Sequence, residues 1–345
     1  MSIRKTVIGV TASLLVAGGA YTGYWFYARE TAARLLDDWT AQRRADGYEI
    51  AYKPPEFGGY PLLVRAVLGA PSISRDSFSW RGERMDIEFQ PWNFRRVRVD
   101  LEGKQWMTLP DEKPTIIVEP AIAAIVARFS ETGRMSDANV LLRDLKISET
   151  GTESAVRVAE LWLEAAAPAQ PPHNHTDKNF DLSLSAADIV LPKGADGPLG
   201  RSVSRVRADM QLLGVVPGGE LDRALEAWRR SGGTVDVDWL QVNWGDLDVR
   251  AKGTLALDAQ SRPMGALSTN IRGHLKAIDA LAARSMLDRN SATMAKIALS
   301  LLAKTPPEGG APVLSVPVTA QDGHLYAGPL KLLDLAPIRF AAPPR

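Results

Sequence analysis

The sequence predicts a β-rich α+β fold: an N-terminal transmembrane helix, then an extended antiparallel-sheet body carrying a few packed helices. Three observations predict it. An uncharged run from Thr6 to Ala28 would, at about 1.5 Å per helical residue, span roughly the 30 Å of a bilayer's hydrocarbon. From Tyr48 onward a two-residue period recurs: Met85, Ile87 and Phe89; Val97, Val99 and Leu101; Phe180, Leu182, Leu184 and Ala186; Val206, Ala208, Met210 and Leu212. Each set puts apolar side chains on one face of an extended chain and polar ones on the other. Helical periodicity is confined to a few segments.

Residues 1–28 form the anchor, with Arg4 and Lys5 ahead of the uncharged run and Tyr21, Tyr24, Trp25, Phe26 and Tyr27 gathered at its far end. Aromatic rings with polar tips favour a membrane–water interface, so these five read as a belt. Small residues at Gly18 and Ala20 leave a cleaved signal peptide as the rival reading. Arg29 and Arg34 balance Arg4 and Lys5, so the positive-inside count does not orient the chain. The usual form of a signal anchor puts the body outside the cytoplasm; an inverted anchor would keep it inside.

An amphipathic helix is expected over 29–47, where Ala32, Leu35, Leu36 and Trp39 share a stripe and Gly47 ends the periodicity. That stripe suits packing on the body or lying on the membrane surface. The body, 48–345, is mostly strand. Helices are expected where Pro120 opens "PAIAAIVARF", in "ELDRALEAWRR" with Leu221, Leu225 and Trp228 on one face, and in "KAIDALAARSML" with "SATMAKIALSLLAK". Loops are expected at 167–179, "APAQPPHNHTDKN", which could divide two lobes, and at "KTPPEGGAP", 304–312. The block "WLQVNWGDLDVRAKGTLAL" loosely echoes "FSWRGERMDIEFQPWNFRRVRVDL", as a duplicated strand pair would.

The 345 residues, 45% hydrophobic, are ample for a core, and 41 basic against 40 acidic residues leave a net charge of +1. No global field would gather nucleic acid. The lack of cysteine removes disulfides, thiolate metal sites and thiol nucleophiles.

Among the four histidines, only "HNHTD" joins two, His173 and His175, with a carboxylate, Asp177. A zinc site would need a fourth group and a rigid second shell, so a solvated loop is the simpler reading. Asp236 and Asp238 alternate with Val235 and Val237, as a solvent-facing strand does. His324 has no nucleophile-elbow serine near it, and no P-loop or dinucleotide fingerprint occurs. No enzymatic activity, catalytic residue, cofactor or metal is expected. Arg95, Arg96 and Arg98 suit lipid phosphates or merely an exposed strand.

The stretch 245–273 alternates twice: Leu247, Val249, Ala251, Leu255 and Leu257 point one way, and Leu267 and Ile271 resume the period after "DAQSRPMG". These residues are the lipid-groove candidates. A sheet packed under the helices of 276–304 would produce the same pattern.

The anchor, "LLDDWTAQRRADGYEI", "FGGYPLLVRAVLGAPSI", "FSWRGERMDIEFQPWNF" and "VPVTAQDGHLYAGPLKLLDLAPI" together resemble the bacterial envelope family catalogued as domain of unknown function 2125. "GTLAL" followed by "RPMGALSTNIRG" also resembles strand pairs of AsmA-like proteins, anchored inner-membrane proteins with β-rich periplasmic bodies implicated in lipid traffic and outer-membrane biogenesis. These resemblances imply a single-pass inner-membrane protein with its body in the periplasm, assisting lipid handling or envelope biogenesis. Its expected partners are the membrane, phospholipid and envelope proteins. The alternative is a scaffold of an envelope complex that binds no lipid; an envelope hydrolase is a third reading.

Overall fold

The computed structural model describes residues 3–338, apart from 76–77, 109–114, 153, 195–196, 198, 218–220, 286–287, 306–310 and 329. The expected N-terminal anchor and amphipathic helix are one continuous helix, α1 (Ile3–Ala45). It stops where Gly47 takes a positive φ of 88°, a conformation glycine adopts without a Cβ penalty. Among the described residues, no helix is long and apolar enough to cross a membrane. The expected transmembrane helix therefore finds no support in the described part of α1. Gly18, Gly19, Thr22 and Gly23 dilute its apolarity and Arg29 and Glu30 end it, while the side chains of Thr6, Val7, Gly9 and Val10, which begin the run, lie outside the described residues.

The body is a large antiparallel sheet built from consecutive strands. It begins with β1 (Glu49–Ala51), β2 (Glu56–Gly58), β3 (Val64–Gly69), β4 (Ser72–Arg75) and β5 (Phe78–Gln90). β3 and β4 share one flank of β5, at its later and earlier halves respectively. β6 (Asn93–Thr108) follows by a tight turn, and its far side is likewise divided between β7 (Ile116–Glu119) and β8 (Ile122–Phe129). Both then pair with β9 (Met135–Glu149).

The helix expected at "PAIAAIVARF" is thus strand β8. Its apolar run fits either conformation, but β6 and β9 supply backbone partners on both edges, and Ile122, Ile125 and Val126 are β-branched. Local pattern cannot anticipate two long-range neighbours.

From β9 the ladder continues through β10 (Ala155–Ala166), β11 (Lys178–Val190) and β12 (Ser202–Leu213). β10 and β11 pair up to Ala166↔Asp181, so the sheet runs unbroken past the loop at 167–177. A helix, α2 (Leu221–Arg230), intervenes before β13 (Thr234–Trp244), β14 (Leu247–Leu257) and β15 (Pro263–Arg272). The helices α3 (His274–Ala283) and α4 (Arg289–Leu302) touch each other, β14, and β16 (Leu314–Gln321). The hairpin β17 (His324–Ala327) and β18 (Leu330–Asp334) ends the ladder. The echo seen in the sequence maps onto two hairpins, β5–β6 and β13–β14.

The core is thin for a chain of this size. Leu145, Val158 and Ala186 form its buried centre, backed by Leu142, Leu161 and Val206 on neighbouring strands. The accessible surface is 21322 Å², against roughly 14,000 Å² for a compact monomer of this mass. The protein is therefore an extended sheet with a projecting helix, and most strand side chains are only half-buried.

Candidate functional site

The N-terminal half of α1 and its C-terminal half live in different surroundings. Ile8 and Thr11–Ala20 are exposed all round, with Leu14 and Val16 68% and 72% accessible. From Tyr21 onward the helix docks on the sheet. Trp25, only 4% exposed, donates its indole N–H to the Leu63 carbonyl at 2.9 Å, and its ring meets Tyr60 edge-on at 5.5 Å. Tyr24 donates its hydroxyl to the Pro91 carbonyl at 2.7 Å and Tyr21 to the Pro61 carbonyl. Further along, Thr40 is buried and its Oγ1 lies 3.2 Å from the Tyr52 hydroxyl, while Arg44 donates to the Ile50 carbonyl at 2.7 Å. Of the aromatic belt expected from sequence, Trp25 is thus a docking residue and not a free interfacial ring. The stripe likewise shifts: Ala32 and Leu36 are half-buried, Leu35 and Trp39 exposed.

Between the docked helix and the sheet lies a groove of about 550 Å³, within the range typical of small-molecule sites. One wall is the helix face Tyr24, Tyr27, Ala28, Thr31, Ala32, Leu35 and Leu36, spaced by three and four residues as one side of a helix must be. The other is Ile87 and Phe89 of β5, Pro91 of the turn, and Phe94 and Val97 of β6. Val97 and Phe89 are direct cross-strand partners and therefore share a face. Among the described residues, no charged side chain lines this space. The Tyr24 hydroxyl is already engaged by Pro91, so the groove offers apolar contact and almost no polar chemistry.

The lipid-groove candidates lie elsewhere. Val249 pairs with Ile271, Ala251 with Thr269, Gly253 with Leu267, and Leu255 with Gly265, so Leu247, Val249, Ala251, Leu255, Leu257, Leu267 and Ile271 do share one face. They are half-buried apart from Ala251, which is buried. Leu314, 3% exposed, sits beside Ile271 on β16. A cavity that touches this hairpin opens on its other face, among Asp248, Arg250, Asn270 and Arg272.

The polar constellations resolve into local structure. Asp177 accepts the backbone N–H groups of His173 at 2.8 Å and Asn174 at 3.2 Å. The His173 N–H first, and then Asn174, hold its carboxyl below the usual range. Asp236 accepts the Thr254 hydroxyl and Asp238 the Gln211 amide, so the two carboxylates are engaged separately. His324 Nδ1 lies 2.5 Å from Asp334, whose carboxyl is held low mainly by Lys331 and then by His324. Arg98 forms a two-pronged contact with Asp100, and Arg95 reaches Glu131 at 3.1 Å. Among the described residues, no group of three or more histidine or acidic side chains could hold a metal ion.

With this geometry in hand, comparison with known families is decisive on one point: the family described as an uncharacterized protein conserved in bacteria (DUF2125) matches residues 25–336. The chain belongs to the DUF2125 family. The match begins at Trp25, so the helix from that docking residue onward and the sheet body lie within the DUF2125 region, while the docking bonds of Tyr21 and Tyr24 precede it. No curated protein and no solved structure matches the chain.

Sequence periodicity reveals each wall of the α1 groove separately, as a helix stripe and as the alternating Ile87 and Phe89. No local signal indicates that the two walls face each other, because some fifty residues of chain separate them.

Proposed function

We propose that this DUF2125 protein is anchored in the bacterial inner membrane by the start of α1, holds its sheet in the periplasm and handles lipid in the groove between α1 and β5–β6. The observation that carries the reading is continuity: an apolar groove with no charged lining among the described residues follows directly along the helix from a segment, Thr11–Ala20, that no described residue covers. Apolar surface exposed on every side of a helix is stable only in an apolar solvent or against a partner. The described part of α1 is not apolar enough to cross by itself; in the sequence, the charge-free run also includes the apolar Val7 and Val10. A bilayer is then the solvent that fits, and an acyl chain entering the groove between Tyr24 and Phe94 would keep its apolar surroundings. The resemblance of β14–β15 to AsmA-like strand pairs supports the same reading.

Filling the groove tests it. Ala28 and Ala32 are half-buried lining residues, and Ala28→Trp or Ala32→Trp would occupy the volume an acyl chain takes. Full-length protein purified in detergent should carry phospholipid detectable by mass spectrometry, and each variant should carry several-fold less with an unchanged far-ultraviolet dichroism spectrum. Wild-type protein free of lipid, or variants that retain it fully, would sink the lipid-handling role. A stoichiometric protein partner on lipid-free protein would favour the scaffold reading.

A further inference from the structure

Two turns of the sheet present large apolar side chains to the outside at one level of the helix. On the β2–β3 turn, Tyr60 and Leu62 are 53% and 67% exposed; Trp92 of the β5–β6 turn and Phe94 at the start of β6 are 55% and 68% exposed. Side chains of this size do not ordinarily cluster on turn tips, where polar residues and glycine are favoured. Both turns are pinned to the same stretch of α1. Tyr21 and Trp25 bond the carbonyls of Pro61 and Leu63 on the first, and Tyr24 bonds that of Pro91 on the second. That stretch begins immediately after Ala20, where the uncovered apolar segment ends.

We infer that these two turns form a second membrane contact, in which Tyr60, Leu62, Trp92 and Phe94 enter the interfacial layer of a phospholipid bilayer beside the point where α1 leaves it. The inference rests on the anchor reading above and adds a surface that reading does not require. Helical rise puts Tyr21–Trp25 within about 8 Å of Ala20 along the axis, so turns fixed to those residues sit at headgroup depth. Aromatic side chains favour that depth. The hydrogen bonds fit as well: a turn carbonyl entering a water-poor layer needs a protein donor, and Pro61, Leu63 and Pro91 each receive one from an aromatic side chain of α1. Arg96, exposed two residues from Phe94 and without an ion pair among the described residues, provides a positive charge at the level of the lipid phosphates. The contact would hold the β5–β6 turn, and with it the open end of the groove, against the bilayer.

Because the chain has no cysteine, single-cysteine labelling needs no background removal. Leu62→Cys, Trp92→Cys and Phe94→Cys would each carry an environment-sensitive fluorophore. Leu14→Cys on the projecting helix and Lys252→Cys on β14 serve as references. Each full-length protein is reconstituted into phosphatidylcholine–phosphatidylglycerol vesicles containing lipids with a nitroxide at a shallow or a deep acyl position. Labels at 62, 92 and 94 should be quenched several-fold more than the label at 252, and more by the shallow nitroxide than the deep one; the label at 14 should respond most to the deep one. Quenching at 14 with labels at 62, 92 and 94 behaving like 252 overturns the second contact and leaves the anchor standing. Quenching at the turns without quenching at 14 upholds the contact and removes the anchor. Absence of quenching at all four overturns both.

Discussion

Replacing Trp25 by alanine should release the docked part of α1 from the sheet without unfolding the sheet. Trp25 is 4% exposed, and a buried tryptophan removes about 150–250 Å² from water. At about 25 cal/mol per Å² that burial corresponds to roughly 4–6 kcal/mol, and measured Trp→Ala changes in cores cost about 3–5 kcal/mol. The change also strips the Leu63 carbonyl of the indole donor at 2.9 Å. The remaining bonds named above, from Tyr21, Tyr24 and Arg44 and between Thr40 and Tyr52, are polar contacts that do not replace the buried indole. At about 1.4 kcal/mol per tenfold, a loss of about 3–5 kcal/mol should raise the undocked population on the order of 100- to 4000-fold. Most helical stability in a folded protein comes from tertiary packing, so the amides of 30–44 should lose protection once the docking is released. Hydrogen exchange followed by mass spectrometry on the full-length protein in detergent reads this directly, with peptides from β10–β12 as the internal reference. Unchanged exchange over 30–44 would refute the argument that Trp25 holds the helix. So would equal loss of protection in β10–β12, because docking and sheet would then be one cooperative unit.

Three further outcomes are expected. Gly253 has a φ of +154°, and a Cβ there would lie 2.1 Å from the Ala266 carbonyl oxygen on the paired strand. Gly253→Ala should therefore lower the melting temperature markedly, while Lys252→Ala at the neighbouring exposed position should not; equal melting temperatures would contradict the close approach. Ala251→Phe forces volume into a buried position on the β14 face and should destabilise by about 1–3 kcal/mol in chemical denaturation; a neutral effect with bound lipid displaced would restore that face as a groove. Arg229 first, and then Arg230, hold the Glu226 carboxyl down from 4.5 to about 2. A depressed folded value means that the support Glu226 gives α2 is present above about pH 4.5 and disappears as the pH falls toward 2. Carboxyl chemical shifts across that window should place the Glu226 midpoint near the lower end; a midpoint near 4.5 would show that the arginine clamp is not formed in solution.

Much of this fold was legible in the chain. Strand alternation such as Phe180, Leu182, Leu184 and Ala186 reports which face is sheltered, because the two-residue period is a property of the extended backbone itself. The same holds for α2, where Leu225 and Trp228 fall on one helical face, and for the stop at Gly47. Family membership was legible too, since it resides in the order of whole segments.

Other features needed the tertiary structure. "PAIAAIVARF" is a strand because β6 and β9 flank it, and a segment's own residues carry no record of neighbours brought from far along the chain. Trp25 reads as an interfacial ring by composition, yet it lies against Leu63 and Tyr60, a contact across thirty-odd residues. The apolar face of 247–271 and the groove under α1 show the same logic from opposite sides. The alternation of Leu247 to Ile271 determines that those side chains share a face, whereas what covers a face depends on where other elements come to rest. The groove exists only because the Ala28–Leu36 stripe settles over Ile87, Phe89 and Val97. Periodicity is a local, one-dimensional property of the backbone; a cavity is a relation between distant surfaces, and only the packed chain defines it.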